Sequence, residues 1–130
     1  MTDTPPPTDD RVATGRALAA KLLAGAPPAR PLPRDFLRQT MDNVFGDVWQ
    51  GEELALEERS LLTCTILTAL GRENEQRLHF RGARNLGIPR AKIEAAINHC
   101  AYYAGWPVAV SAMRTLDEVW EEMDAQAAAH

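Results

Sequence analysis

The chain has 130 residues, with 14 Lys and Arg against 18 Asp and Glu for a net charge of -4. That length predicts one compact domain and leaves no room for a separate cofactor-binding domain. Hydrophobic residues at 45% and charged residues at 25% are the proportions of a globular chain, and charge spread without a basic stripe excludes a phosphate-tracking surface, so nucleic acid is not an expected partner.

The longest weakly polar run, Leu61 to Leu70, contains three Thr and one Cys and falls short of the roughly 20 apolar residues that cross a bilayer. No membrane association is expected. Met1 to Asp10 is polar, acidic and proline-rich, unlike a signal peptide, so the expected location is cytoplasmic.

In chain order, residues 1–9 carry Pro5, Pro6 and Pro7 without a hydrophobic anchor and read as a disordered, polyproline-like tail. The domain is expected over residues 10–126. Val12, Leu18, Ala19, Leu22 and Leu23 predict an amphipathic helix from Asp10 to Leu23, stopped by Gly25. Ala26 to Pro33 carries four prolines, cannot be helical and reads as an extended arm. Asp35 to Phe45 then reads as a helix, with Val48 and Trp49 in the turn that follows. Leu56 to Leu70 is apolar nearly all round after an acidic first turn, the pattern of a central, buried helix. Helices are also predicted from Glu73 to Leu86, from Pro89 to about Ala104, and from Pro107 through Met123, with the Ala-rich end fraying. No segment alternates with period two for long enough to be a strand. The expected fold is all-α, with about six helices joined by short Gly and Pro turns.

Chemistry-bearing residues are few. Glu75 and His79 are spaced i,i+4, with Arg72 one turn earlier, so a carboxylate and an imidazole share a helix face. Such a pair can hydrogen-bond, fix the tautomer of His79 and raise its proton affinity, as acid/base work requires; it also occurs on ordinary solvated helix faces. Neither this pair nor the cysteines form a metal site, because no further ligand accompanies them at suitable spacing. Arg59, in the first turn of the most apolar helix, either clamps an anion or snorkels beside Glu57 or Glu58. His99, Tyr102 and Tyr103 cluster just before Gly105, as rim, interface or site residues, and Trp49 is either a core anchor or a substrate platform. Cys64 and Cys100 form no CxxC and read as small buried apolar residues.

Taken together, Phe45-Gly46-Asp47-Val48-Trp49, Arg59-Ser60-Leu61-Leu62-Thr63, Ala69-Leu70-Gly71-Arg72, Glu75, Arg77-Leu78-His79, Arg81, Asn85, Gly87-Ile88 and Tyr103-Ala104-Gly105 with Pro107 and Ala109 resemble the carboxymuconolactone decarboxylase family, in register from about Asp35 to Trp120. The resemblance implies an all-α, alkylhydroperoxidase-like fold, assembly into a ring-shaped homohexamer as a trimer of dimers, and no cofactor. The thiol-dependent branch of that superfamily places cysteines seven and four positions before its helix histidine. Here those positions hold Arg72 and Glu75, which excludes thiol chemistry at that place.

The decarboxylase branch implies a small-molecule substrate similar to a γ-carboxylated butenolide, within the breakdown of aromatic compounds. Loss of carbon dioxide leaves a carbanion delocalised into the lactone carbonyl, so the substrate is its own electron sink. Under that resemblance His79 delivers the proton, Glu75 orients and charges it, and Arg59 stabilises the anionic oxygen or holds a carboxylate. Trp49, Arg72, His99 and Tyr103 contact the substrate. Three features depart from the family. The segment after the first helix is the proline arm, the loop after Trp49 is Gln50-Gly51-Glu52-Glu53 where the family carries Arg-Pro-Gly, and His99 stands in place of Gln. The alternatives are a relative turned to another lactone or polyketide-like substrate as lyase, isomerase or cyclase, a peroxidase-like enzyme, and a non-catalytic ring protein.

Overall fold

A computed structural model describes residues 9–129. The expected tail lies outside these residues except for Asp9, which opens the first helix. Six α-helices follow in order: α1 (Asp9–Leu22), α2 (Arg34–Gln39), α3 (Leu56–Leu70), α4 (Glu73–Asn85), α5 (Arg90–Ala104) and α6 (Trp106–Ala128). No strand is present among the described residues, so the fold is all-α as the periodicity requires.

The helices α3 to α6 enclose the larger core, in which Phe80, Ile93, Ile97, Leu116 and Val119 are fully buried. Each such side chain contributes about 1.5–3 kcal/mol on leaving water. A second cluster joins Leu18, Ala19 and Leu22 of α1 to Phe45 and Trp49, with Leu86 at the end of α4 packed against it. The two clusters meet along α4. There Gly82 lets α1 approach, since a Cβ on it would lie 3.0 Å from Leu22 Cδ2.

Three differences from the sequence reading have physical causes. The helix expected from Asp35 to Phe45 is α-helical only to Gln39 and then widens into a π-helical turn over Thr40–Phe45, closed by Gly46 N–H donating to the Met41 carbonyl at 2.9 Å. This turn brings Gly46 against Gly15 of α1 so closely that a Cβ on Gly15 would fall 2.5 Å from Gly46 N. A single 3-10 turn, Val48–Gln50, follows and seats Trp49.

The helix expected to be central and buried, α3, turns its small polar residues inward. Ser60, Cys64 and Thr68 are its buried positions, while Leu62, Ile66 and Leu70 face outward, Leu70 at 64% exposure. Close packing of α4 leaves room only for small side chains on the inner face.

The last helix extends to Ala128, beyond the Met123 at which the sequence pattern ends. Gln126 holds it, donating to the Gly25 carbonyl at 3.1 Å and accepting from Arg81 at 2.7 Å.

Candidate active site

The acidic start and glycine stop of α3 set its ends. Glu58 reaches back to the N–H of Ala55 at 2.9 Å, and Gly71 takes a left-handed conformation at φ 67° that closes the helix. The chain then reverses directly into α4, which runs antiparallel to α3, with Gln76 beside Leu67 and His79 beside Cys64. Glu75 and His79 occupy one face of α4. Leu86, further along that face, packs on the cluster that contains Trp49.

His79 is half-buried and Glu75 is exposed. No hydrogen bond or ion pair within 4.0 Å joins them, so the carboxylate acts on the imidazole through space. Burial lowers the proton affinity of His79, and the nearby Glu75 charge opposes that effect without overcoming it. Glu75 thus raises the proton affinity of His79 as expected, but through space and without a hydrogen bond, and burial outweighs it. The ring favours its neutral form more than a free imidazole does, because the loss of hydration outweighs one partly solvated carboxylate.

Arg59 is half-buried and forms no ion pair with Glu57 or Glu58. Its Nη2 donates to the Gly51 carbonyl at 3.2 Å, which ties the loop after Trp49 to the start of α3, and its Nε is buried without an acceptor. Trp49 is buried at 7% exposure, its ring 5.8 Å from that of Phe45, so it anchors the second core. Arg72 is exposed immediately before α4.

His99 and Tyr103 stack on each other at 4.9 Å on an exposed side of α5, with Tyr102 and Trp106 edge to face beside them. Tyr103 is 82% exposed. Among the described residues, no hydrogen bond, ion pair or ring contact links this aromatic group to Glu75, His79 or Arg59. The structure thus joins Glu75 with His79, and Arg59 with the Trp49 loop, and places His99 and Tyr103 on a separate exposed surface.

Both cysteines are buried thiols. Cys64 donates to the His79 carbonyl, and burial pushes its pKa up to about 12; burial also raises that of Cys100. Neither is a thiolate at neutral pH. No group of three or more potential metal ligands occurs among the described residues.

One feature escaped the sequence reading. The proline arm crosses α4 and α6 and forms with them a cleft of about 370 Å³ lined by Asn74, Glu75, Arg77, Leu78, Arg81, Val119 and Glu122 beneath Ala26 to Ala29. Arg81 is only 3% exposed and pairs with Glu122 of α6, while Arg77 pairs with Glu118 and Arg84 with Asp124. These parallel pairings could have been suspected from arginines and acids recurring at matched helical spacing on α4 and α6.

The model of the Carboxymuconolactone decarboxylase family matches residues 34–118, from the start of α2 well into α6. The chain is 37% identical over 90 residues to a 4-carboxymuconolactone decarboxylase of Acinetobacter baylyi, covering 69% of this chain and 67% of that protein. It is 33% identical over 95 residues to the nitrosuccinic acid decarboxylase npaB of Metarhizium robertsii, covering 73% of this chain and 66% of the relative. The matched segment thus spans about two thirds of each relative.

Proposed function

The chain belongs to the carboxymuconolactone decarboxylase family, and on that premise we propose that it is a carboxy-lyase that removes carbon dioxide from a γ-carboxylated lactone through a dienolate. Two relatives named as decarboxylases support the carboxy-lyase class. Both names describe acids in which a lactone carbonyl or a nitro group can hold the electrons left behind by carbon dioxide. The observation that carries the reading is the Glu75 and His79 pair on α4, with a half-buried imidazole, inside the family-matched region.

The chemistry asks little of the protein beyond geometry. The C–C bond to the carboxylate breaks, its electron pair moves through the ring double bond to the lactone oxygen, and no external electron sink is needed. Arg59, half-buried in the first turn of α3, is the cation assigned to the anionic oxygen. His79 supplies the proton to carbon. A substrate carboxylate arriving beside it favours the imidazolium that burial disfavours, so the anion helps to charge the acid that serves it. Glu75 holds that charge, and Arg72, exposed one turn before Glu75, is the cation at the approach, with Trp49 supporting the loop that Arg59 ties down.

The working unit is a homo-oligomer, a hexamer in the ring arrangement of the family. Two exposed apolar stripes support this assembly. One is Leu32, Phe36, Val44 and Val48 along α2 and the turns after it, and the other is Leu62, Ile66 and Leu70 on α3. One closed dimer interface covers a single patch, so two patches call for two kinds of contact. His99 and Tyr103 join the site from the exposed end of α5 when a second copy covers it.

The direct test supplies a γ-carboxylated butenolide in deuterated water and follows carbon dioxide release together with deuterium entry at carbon. Release with one deuteron per turnover is expected. A folded protein that releases none from any γ-carboxylated lactone overturns the reading.

A further inference from the structure

We infer that the groove between α1 and α2 binds an amphipathic organic anion, a carboxylate carrying an unbranched apolar chain, at a place apart from the candidate active site. α1 packs on the π-helical turn but stands off α2, and the space left between the two helices is a groove of about 720 Å³. That volume is in the range of small-molecule sites. None of the lining residues lies on α3 to α6. Leu22, which meets Gly82 of α4, is two residues from Ala20 of the lining and so on the other side of α1. The α1 half of the groove also precedes residues 34–118, which carry the family match, so this inference does not depend on the decarboxylase reading.

The floor is apolar. Ala19, Ala20 and Leu23 of α1 line it together with Leu37 and Met41. The two small alanines keep the floor deep, and an unbranched methionine adapts to an irregular occupant. Leu37 remains 42% exposed, so nothing within the chain covers this surface. Phe36, on the opposite face of α2, belongs instead to the stripe assigned to self-association.

The rim is basic in a chain whose net charge is -4. Arg16 on α1 and Arg34 at the start of α2 form no ion pair or hydrogen bond among the described residues. Arg38 reaches Asp35 and Asp42 only loosely, at 3.9 and 3.6 Å, and the one acid of the lining, Asp35, is turned to solvent. Unengaged guanidiniums over an apolar floor select a ligand that has both parts. A carboxylate matches the planar fork of an arginine, and the chain leaves water for the floor. A small hydrophilic anion would leave the floor wet, and an alkylammonium would face three arginines.

The test titrates the full chain, in whatever assembly it forms in solution, with octanoate, acetate and octylammonium by calorimetry. One octanoate per chain is expected, with an affinity at least about tenfold above that of acetate, since each fully buried CH₂ contributes up to about fourfold. Octylammonium should give no binding heat. Arg16→Gln with Arg34→Gln should weaken octanoate by about tenfold. Ala20→Trp, which fills the groove from an exposed position, should abolish its binding. Thermal unfolding and scattering mass check the fold and assembly of both variants. No octanoate binding by the folded parent, as a second copy seated in the groove would produce, overturns the inference. Octanoate affinity unmoved in the folded variants overturns it too, and places the anion elsewhere on the chain.

Discussion

The thiol of Cys64 points at the backbone carbonyl of His79, with Sγ 3.5 Å from the oxygen, so the residue nearest the candidate acid that could do redox chemistry is spent on packing α3 against α4. Its pKa of about 12 keeps it protonated. Cys64→Ala with Cys100→Ala should therefore retain full turnover, with a stability loss of about 1–2 kcal/mol from the emptied sulfur positions. Native protein should also resist a thiol reagent that labels both cysteines after denaturation. Rapid labelling of the folded chain, or loss of activity by orders of magnitude in a folded double variant, would bring thiol chemistry back.

The contact between Gly15 and Gly46 predicts a sharp intolerance. A Cβ on Gly15 meets backbone atoms of Phe45 and Gly46 at 2.5 to 2.6 Å, and backbone cannot swing away as a side-chain tip can. Although alanine favours helices, Gly15→Ala should destabilise the protein by about 1–3 kcal/mol through forced separation of α1 from the π-helical turn. Denaturant unfolding measures it, and a variant as stable as the parent would refute the packing.

How much of this could be read from residues depends on whether the cause was local. Helix ends at Gly71, Gly87 and Gly105 and the non-helical proline arm follow from backbone chemistry at single positions, and they were legible. The π-helical turn was not, because it answers to the approach of Gly46 to Gly15, a contact between segments far apart in sequence. The inward face of α3 was misread for a related reason. Its leucines and isoleucine look like core in a hydropathy pattern, yet the pattern cannot say whether the apolar partner is the same chain or another copy. The Glu75 and His79 pair was visible from spacing, but the balance of burial against charge at His79 needed the surrounding helices. The cavity under the arm needed three segments brought together.

Self-association has a direct handle in α3. Scattering of the parent protein should report a mass several times that of one chain. Ile66 is 56% exposed in the middle of the Leu62, Ile66 and Leu70 stripe, so Ile66→Glu should cost the single chain little while opposing an apolar interface. The variant should shift to smaller species and lose turnover together. A parent protein that is monomeric at micromolar concentration would refute the assembly.

The depressed proton affinity of His79 fixes a pH signature. Between the ordinary histidine value of about 6.5 and the lower native one, the unfolded chain binds more protons than the folded one. The stability contributed by neutral His79 is therefore present above about pH 6.5 and is lost as pH falls through the native value. His79→Asn should flatten this part of the stability profile, and Glu75→Gln should move the His79 resonance in a magnetic resonance titration to still lower pH. Activity that needs the imidazolium should fall with rising pH. The limb of kcat/KM, which reports the free enzyme, should lie at lower pH than the limb of kcat, which reports the complex with an anionic substrate. Coincident limbs would mean that the substrate does not charge His79.

The most exposed prediction concerns the pair itself. If His79 protonates the dienolate, His79→Ala should lower kcat by about 10² to 10⁴ while leaving helix content and oligomer mass unchanged. Glu75→Gln keeps the shape of the side chain and removes the charge that opposes the effect of burial on His79, so it should do nearly as much harm. The double variant should be little worse than either single one, because a proton donor that cannot be charged and one that is absent fail at the same step. A double-mutant cycle on a γ-carboxylated butenolide measures this directly. Additive losses would assign Glu75 a task independent of His79, such as contact with the substrate from the cavity wall. Full activity in a folded His79→Ala protein would end the assignment and turn attention to His99, stacked on Tyr103 at the exposed end of α5.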